Sequence, residues 1–186
     1  MDASGGIERD VLVVVESMFG NTRAVAEEIA AGVREAGQHA RVVAVADAAG
    51  VPVEELDRAG LLVLGGPTHA FSMTRPGTRE DAVRQGAQGA VGTGLREYVD
   101  RAPLPPGLPV VTFDTKLRRA PGSAAKAAAK ALRRRGLCHV EVGPSFWVHG
   151  TPGPLADGEL ARARAWGTEL ADRVATGRLE HAPGRG

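Results

Sequence analysis

A short turn rich in hydroxyl, amide and glycine residues follows the first apolar run of the chain. The stretch VLVVVESMFGNT, residues 11–22, has five consecutive apolar residues, then Glu16, and then a turn that contains Ser17, Asn21 and Thr22. A helical repeat of apolar residues begins directly after it. Backbone amides at a helix N-terminus and the positive end of the helix dipole favour an anion, and the hydroxyl side chains of this turn suit a phosphate. The alternative is an ordinary N-capped helix with Asn21 or Thr22 as the cap.

Strand and helix patterns alternate along the rest of the chain. Apolar or alternating runs predict five strands, at residues 11–16, 39–46, 61–66, 108–115 and 138–142. Helical patterns follow them at residues 22–37, 52–60, 78–100, 123–135 and 157–175. Four glycines weaken the pattern of the third helix, so we expect that helix, with Thr78 as its cap, to be frayed or interrupted. We place Asp157 at the cap of the last helix.

Five strands that each lead into a helix predict an α/β fold with a doubly wound parallel sheet. The first, third and fourth strands are almost wholly apolar, whereas the second and fifth alternate, which favours the spatial order 2-1-3-4-5. Ligands of such sheets bind beyond the carboxyl ends of the strands, at the point where the strand order reverses. The loops at residues 17–22, 67–73 and 114–121 should therefore converge on one site.

Length and composition are those of one ordinary globular domain. A chain of 186 residues can bury a three-layer core, which we place at residues 9–176 between loose tails at 1–8 and 178–186. No apolar run approaches about 20 residues and the first residues are polar, so we expect a cytoplasmic protein with no membrane segment. A net charge of +1 gives no reason to expect nucleic acid. The single cysteine, Cys138, is expected to be a small buried residue of the fifth strand.

Two sequence motifs resemble those of a known protein family. The turn S-M-F-G-N-T after strand one and G-G-P-T-H-A-F after strand three resemble the flavodoxin family, whose members bind flavin mononucleotide (FMN). The resemblance extends to the five-strand plan, a flavodoxin-like three-layer sandwich. The uninterrupted fifth strand places the chain with the short-chain type. The first motif is especially similar to the flavodoxin-like modules of larger flavoproteins.

The resemblance implies a set of FMN-binding residues in three loops. The phosphate turn comprises Ser17, Met18, Phe19, Gly20, Asn21 and Thr22, with the side chains of Ser17, Asn21 and Thr22 and the backbone amides holding the phosphate. The loop after strand three, which lines the isoalloxazine edge and one face, comprises Pro67, Thr68, His69, Ala70 and Phe71. The loop after strand four, on the pyrimidine side, comprises Asp114, Thr115 and Lys116.

Stacking against the flavin ring is assigned to a residue of the loop after strand three. The fourth loop lacks the tyrosine that typical flavodoxins place there, so Phe71 or His69 must serve. The alternatives are that His69 is an ordinary polar loop residue and that Phe71 plugs the core beneath the loop. Phe19 replaces the hydroxyl residue that is commoner in the family, which removes one phosphate donor.

The function that the resemblance implies is an FMN-binding redox protein. It transfers electrons between partner proteins or reduces a small acceptor, such as a quinone, in a two-electron step that Lys116, Arg118 and Arg119 favour. It is then either an NAD(P)H-dependent oxidoreductase or an electron carrier, with a homodimer left open. The sequence shows no catalytic side-chain unit and no metal-ligand spacing. The alternative function is a cofactor-free binding or regulatory module.

Two further segments allow more than one interpretation. The basic stripe of Lys126, Lys130 and residues 133–135 fits a solvated helix face or a dock for an acidic redox partner. Trp147 and His149 could cover the site or form a dimer contact. The alternative for Trp147 is that it packs on the last helix.

Overall fold

The computed structural model describes residues 10–179 and shows a five-stranded parallel sheet between two layers of helices. The strands are β1 (Asp10–Val15), β2 (Ala40–Ala44), β3 (Ala59–Pro67), β4 (Val110–Leu117) and β5 (Val140–Val148). The helices are α1 (Asn21–Glu35), α2 (Val53–Arg58), α3 (Pro76–Arg84), α4 (Leu95–Arg101), α5 (Ala124–Arg134) and α6 (Glu159–Ala175), with a single 3-10 turn at Ala48–Gly50.

The strand order is β2-β1-β3-β4-β5, as the apolar patterns predict. β1 pairs with β2 on one side and with β3 on the other, so the order reverses between β1 and β3. Val15 is opposite Gly65 there, and the loops that follow these two strands leave from the same edge of the sheet. The topology thus forms a crevice at the carboxyl ends of β1 and β3.

Alternating side chains of the central strands divide the core into two layers. Val11 and Val13 of β1 pack with α1 and α6 on one face, whereas Leu12 and Val14 pack with α4 and α5 on the other. All four side chains are at most 2% exposed. Burial on both faces explains the uninterrupted apolar run that marks this strand in the sequence.

The region predicted as one frayed helix forms two helices. α3 ends at Arg84 and α4 begins at Leu95, and the glycine-rich stretch lies between them. Thr78 is not the cap residue, because α3 begins at Pro76, a favoured first helical residue, after Arg75. The prediction of an interruption is therefore confirmed, and the predicted boundary is wrong.

The end of the chain differs from the prediction in three places. Cys138 is exposed and precedes β5, which starts at Val140, so its assignment to a buried strand position is wrong. α6 begins after Gly158 rather than after Asp157. Leu179, assigned to a tail, is 4% exposed and packs on the α1 and α6 side of the core. The other predicted tail positions, except Arg178, lie outside the described residues.

No helix within residues 10–179 combines the length and the apolar character needed to cross a lipid bilayer.

Two glycines allow α1 and α6 to cross in close contact. A Cβ atom on Gly32 of α1 would overlap the carbonyl oxygen of Arg164 in α6, and a Cβ atom on Gly167 would overlap that of Ile29 in α1. Each backbone is thus in direct contact with the other helix. Larger residues at either position would push the helices apart and open the core layer beneath them.

Gly32→Ala and Gly167→Ala should each lower the free energy of unfolding by about 1 to 3 kcal/mol because the added methyl group overpacks the crossing. This effect opposes the gain of about 1 kcal/mol that alanine usually brings to a helix interior. Urea unfolding followed by circular dichroism measures both variants. Gly77→Ala in α3, where a Cβ meets open space, is the control and should be neutral or stabilising. Stabilisation of all three variants would contradict the close crossing.

Candidate functional site

The three predicted loops meet around a cavity of about 290 Å³ at the carboxyl ends of the central strands. Most of the predicted site residues line it, namely Met18, Phe19, Asn21, Thr22, Pro67, Thr68, His69, Ala70, Phe71, Thr115 and Lys116. Ser17, Gly20 and Asp114 do not line it. The cavity is thus open, and the side chains of the turn do not fill it.

The turn between β1 and α1 offers a row of unpaired backbone donors. Gly20 precedes the helix with a φ of 87°, a left-handed conformation that glycine adopts without strain. Within the described part of the chain, the amides from Ser17 to Thr22 donate to no protein acceptor. The next amide, of Arg23, donates to the Ser17 hydroxyl at 3.2 Å. Six consecutive amides at a helix N-terminus are therefore free to bind an anion.

The side chains of Asn21 and Thr22 have partners in other loops, and neither of them caps the helix. Asn21 donates from Nδ2 to the carbonyl of Pro152 at 3.0 Å. The hydroxyls of Thr22 and Thr115 lie 2.8 Å apart in a buried hydrogen bond. The simple capping alternative is therefore wrong. These side chains connect the turn to the end of β4 and to the loop after β5, and the amides remain as the donors without a protein partner.

The segment that follows α3 packs against the backbone of the turn. The carbonyl of Met18 accepts from the amides of Gln88 and Gly89, both at 3.1 Å. A Cβ on Gly89 would lie 2.5 Å from the carbonyl oxygen of Ser17, so this backbone lies directly against the turn. Met18 is buried there, and Phe19 packs against the same small apolar cluster. The carbonyl of Met18 thus has two partners, whereas the amides of the turn have none among residues 10–179.

Glu16, the last residue before the turn, has a buried side chain that the sequence pattern treats only as the end of the strand. Its carboxylate accepts from the Thr74 hydroxyl at 2.5 Å and from the Leu95 amide at 2.7 Å. Burial is the main influence on this carboxyl and raises its pKa, which the two hydrogen bonds and the nearby Arg79 partly oppose.

Arg79 is the cation of this cluster and is fully buried. Its guanidinium donates to Thr74 at 3.0 Å and to the carbonyls of Val91 and Gly92 at 2.9 and 2.7 Å. It also lies 3.2 Å from the carboxylate of Glu97. Burial opposes ionisation of Glu97, but the hydrogen bond from the Gly94 amide and the contact with Arg79 outweigh it, so the pKa of Glu97 is lowered. Sequence reasoning missed this cluster, because its members are far apart in the chain and follow no motif.

Asp114 lies beneath the site and connects the loop after β3 to α5. Its Oδ2 accepts from the hydroxyls of Thr68 and Ser123 at 2.9 and 2.6 Å, and from the Ala125 amide at 3.1 Å. Its side chain is fully buried. The predicted contact of Asp114 with a ligand stays a prediction, and its observed role is to fix Thr68 at the edge of the cavity.

The loop after β3 ends in a tight hairpin that presents an aromatic ring. His69 and Ser72 exchange two backbone hydrogen bonds of 2.9 and 3.0 Å. The two residues between them, Ala70 and Phe71, have positive φ angles of 43° and 73°. A left-handed conformation is strained in residues with a side chain, at a cost of about 1 kcal/mol or more each.

Phe71 is 66% exposed, so the alternative that it plugs the core is wrong. Its ring lines the cavity from the solvent side. His69 is half-buried, and burial lowers the pKa of its imidazole. The neutral imidazole is therefore favoured on the cavity wall at neutral pH.

The loop after β5 contributes Thr151 and the strand end Val148 to the cavity. Trp147 and His149, which we considered as a cover, do not line it. The backbone amide of Trp147 donates to Glu159 at the start of α6. The tryptophan that packs in the core is Trp166, whose ring contacts Phe113 and Phe146. Within residues 10–179 no group of histidine, cysteine and acidic side chains is arranged to hold a metal ion.

Comparison with known proteins matches this turn and loop to one family. The flavodoxin family model matches residues 13–75, which include the turn after β1 and the loop after β3. No curated protein sequence matches the chain.

Solved structures share the fold at low identity. A flavodoxin from the domain Archaea is 20% identical with a TM-score of 0.58, over 89% of this chain and 98% of that chain. A two-electron reduced Megasphaera elsdenii flavodoxin is 19% identical with a TM-score of 0.53, over 86% and 98%. The rubredoxin oxygen:oxidoreductase of Desulfovibrio gigas is 16% identical with a TM-score of 0.61, over 94% of this chain but only 38% of that chain. These similarities show the flavodoxin-like fold.

Arg79→Met should lower the free energy of unfolding by about 3 to 5 kcal/mol, because it removes the buried cation that pairs with Glu97 and lies near the buried Glu16 carboxylate. Arg84→Met, in the same helix, is the control. Arg84 is paired with Asp81, both side chains are more than half exposed, and its loss should cost about 1 kcal/mol or less. Chemical denaturation of both variants provides the measurement. Equal destabilisation would show that the buried cluster contributes no more than a surface ion pair.

Proposed function

We propose that this chain is a member of the flavodoxin family, that it binds FMN in the cavity between the loops after β1, β3 and β4, and that it acts as a redox protein. The observation that supports this most strongly is the row of unpaired amides from Ser17 to Thr22. Members of the flavodoxin family are FMN-binding proteins, and the family match covers this turn.

The turn fits the phosphate group of FMN because it offers fixed donors without a formal charge. None of residues 17–22 is Lys or Arg, so aligned peptide dipoles and the start of α1 would neutralise the dianion. Met18 packs in a small apolar cluster with Ala82 and Ala87, and this packing holds the turn in its conformation. Thr22 and Thr115, through their shared hydrogen bond, keep the start of α1 next to the end of β4.

The ring of the flavin would lie along the loop after β3. Pro67, Thr68 and Ala70 offer its edge, and the exposed Phe71 offers a stacking face. A bound FMN supplies the electron-accepting and electron-donating chemistry. The side chains around it orient the ring and limit its contact with water, and no catalytic side chain is required.

Positive charge in and next to the end of β4 supports two-electron transfer as the proposed chemistry. Lys116 lines the cavity and donates from Nζ to the carbonyl of Gly122, while Arg118 and Arg119 are exposed on the following turn. Cations near the ring stabilise the anionic, fully reduced flavin. We propose either a redox partner protein or a small acceptor such as a quinone as the reaction partner.

Titration of the purified, flavin-free protein with FMN and with riboflavin tests the proposal. FMN should bind about 100-fold more tightly, because only FMN carries the phosphate that accepts charge-assisted hydrogen bonds from the turn. Quenching of flavin fluorescence measures both affinities. Equal affinities for FMN and riboflavin would show that the turn after β1 does not bind the phosphate. A colourless protein that binds neither flavin would favour the cofactor-free module instead.

Asn21→Asp should weaken FMN binding by about tenfold or more, because it places a carboxylate next to the phosphate. Riboflavin affinity should stay unchanged, and the acidic residue suits the helix N-terminus. Gln38→Glu, beyond the C-terminal end of α1, is the control. It adds the same negative charge and should leave the FMN affinity unchanged. Loss of both flavins in Asn21→Asp would indicate a disturbed loop rather than repulsion.

The variants Ala70→Gly and Phe71→Gly distinguish the effect of backbone strain on stability from the effect of aromatic stacking on flavin binding. Both should raise the unfolding free energy of the flavin-free protein by about 1 kcal/mol, since glycine adopts positive φ freely. Only Phe71→Gly should weaken flavin binding, by about tenfold, because it alone removes the ring. Thermal unfolding and flavin titration of both variants measure the two effects. Equal flavin affinity in the two variants would contradict a stacking role for Phe71.

A further inference from the structure

A hairpin at the end of β5 reaches across to the start of α1. Residues 147–156 double back on themselves through three backbone hydrogen bonds of 2.8 to 3.0 Å. The innermost of these bonds, from the Gly153 amide to the Gly150 carbonyl, closes a four-residue turn. Thr151 and Pro152 are the two central residues of this turn and therefore lie at the tip of the hairpin.

Both ends of this hairpin are fixed to helices. At the tip, the Pro152 carbonyl accepts from Nδ2 of Asn21, the first residue of α1, at 3.0 Å. A Cβ on Gly153 would lie 2.6 Å from Oδ1 of Asn21, so the backbone of the tip is in direct contact with that side chain. At the base, the Trp147 amide donates to the carboxylate of Glu159 in α6 at 2.9 Å. The tip is therefore held beside the turn after β1.

Thr151 brings an unpaired hydroxyl to the FMN cavity. Four threonines line this cavity. The hydroxyls of Thr22 and Thr115 share one hydrogen bond, and the hydroxyl of Thr68 donates to Asp114 and accepts from an amide of α5. The exposed Thr151 hydroxyl has no hydrogen-bond partner within residues 10–179. Among the threonines of the lining, it is therefore the one whose hydroxyl is free to bind a ligand.

The side chains of the turn after β1 leave room for a donor from another segment. Met18 and Phe19 have no polar hydrogen to donate, and Nδ2 of Asn21 is engaged with the hairpin. The Ser17 hydroxyl accepts from the Arg23 amide and does not line the cavity. A phosphate group presents several acceptor oxygens, and a hydroxyl that donates to such an anion forms a short, charge-assisted hydrogen bond. A hydroxyl from the hairpin tip would thus complement the backbone amides of the turn.

We propose that the Thr151 hydroxyl donates to the phosphate of bound FMN, so that two separate segments form the phosphate site. The inference rests on the proposed function, because it adds a residue to that site. Since the hydroxyl is neutral, it adds a donor without adding a charge. Asn21 is then a positioning residue for this hydroxyl, because its hydrogen bond to Pro152 holds the tip of the hairpin in place.

Titration of the flavin-free protein with FMN and with riboflavin, followed by quenching of flavin fluorescence, tests this assignment. Thr151→Val replaces the hydroxyl by a methyl group and should weaken FMN binding by about tenfold. Riboflavin, which lacks the phosphate, should bind this variant with unchanged affinity. Thr151→Ser keeps the hydroxyl and should retain the FMN affinity. Thr93→Val makes the same change at an exposed position outside the cavity and is the matched control.

The outcomes distinguish this inference from the proposed function. Unchanged FMN affinity in Thr151→Val, or equal losses of FMN and riboflavin affinity, would overturn the assignment of Thr151 to the phosphate and leave the FMN proposal in place. Equal losses of FMN affinity in Thr151→Val and Thr151→Ser would show that the hydroxyl is not the binding group and would also overturn it. Failure of the unmodified chain to bind FMN would overturn the proposed function and, with it, this inference.

Discussion

The buried carboxylate of Glu16 is the group on which the geometry of the candidate site depends. A carboxylate removed from water must be paired or hydrogen-bonded, since an unpaired buried charge is strongly destabilising. Glu16 obtains its partners from three separate segments, through Thr74, Leu95 and the neighbouring Arg79. The loop after β3, the start of α4 and helix α3 must therefore all be in place around the end of β1. The turn that begins at Ser17 is consequently held at a fixed position.

The same turn packs against the segment that follows α3 and also offers a row of amides without partners in the described chain. Its lower carbonyls, at Ser17 and Met18, lie against the segment that contains Gln88 and Gly89, whereas six amides above them have no protein acceptor. Turns of this kind bind anions through oriented dipoles rather than through formal charges. Since peptide dipoles do not titrate, the donors of the turn keep the same partial charges across the physiological pH range.

The loop after β3 and the end of β4 bring a strained backbone and the positive charge of Lys116 to the cavity. Ala70 and Phe71 have left-handed conformations, and two backbone hydrogen bonds between His69 and Ser72 hold them there. The backbone of Phe71 also lies directly against Gly122, where any Cβ would overlap it. The loop therefore leaves the side chain of Phe71 exposed at the cavity, which Lys116 of β4 also lines.

The sequence by itself determined the sheet order and three of the segments that line the cavity, whereas the contribution of the loop after β5 was not predicted. Strands buried on both faces require continuous apolar runs, and parallel strands joined by helices place successive loops at one edge. Local patterns did not reveal the cluster around Arg79, the exposure of Cys138 or the start of α3 at Pro76. Each of these depends on which distant segment supplies a partner or leaves a residue outside a strand. Only the tertiary structure decided them, because pairing and burial are properties of segments brought together by folding.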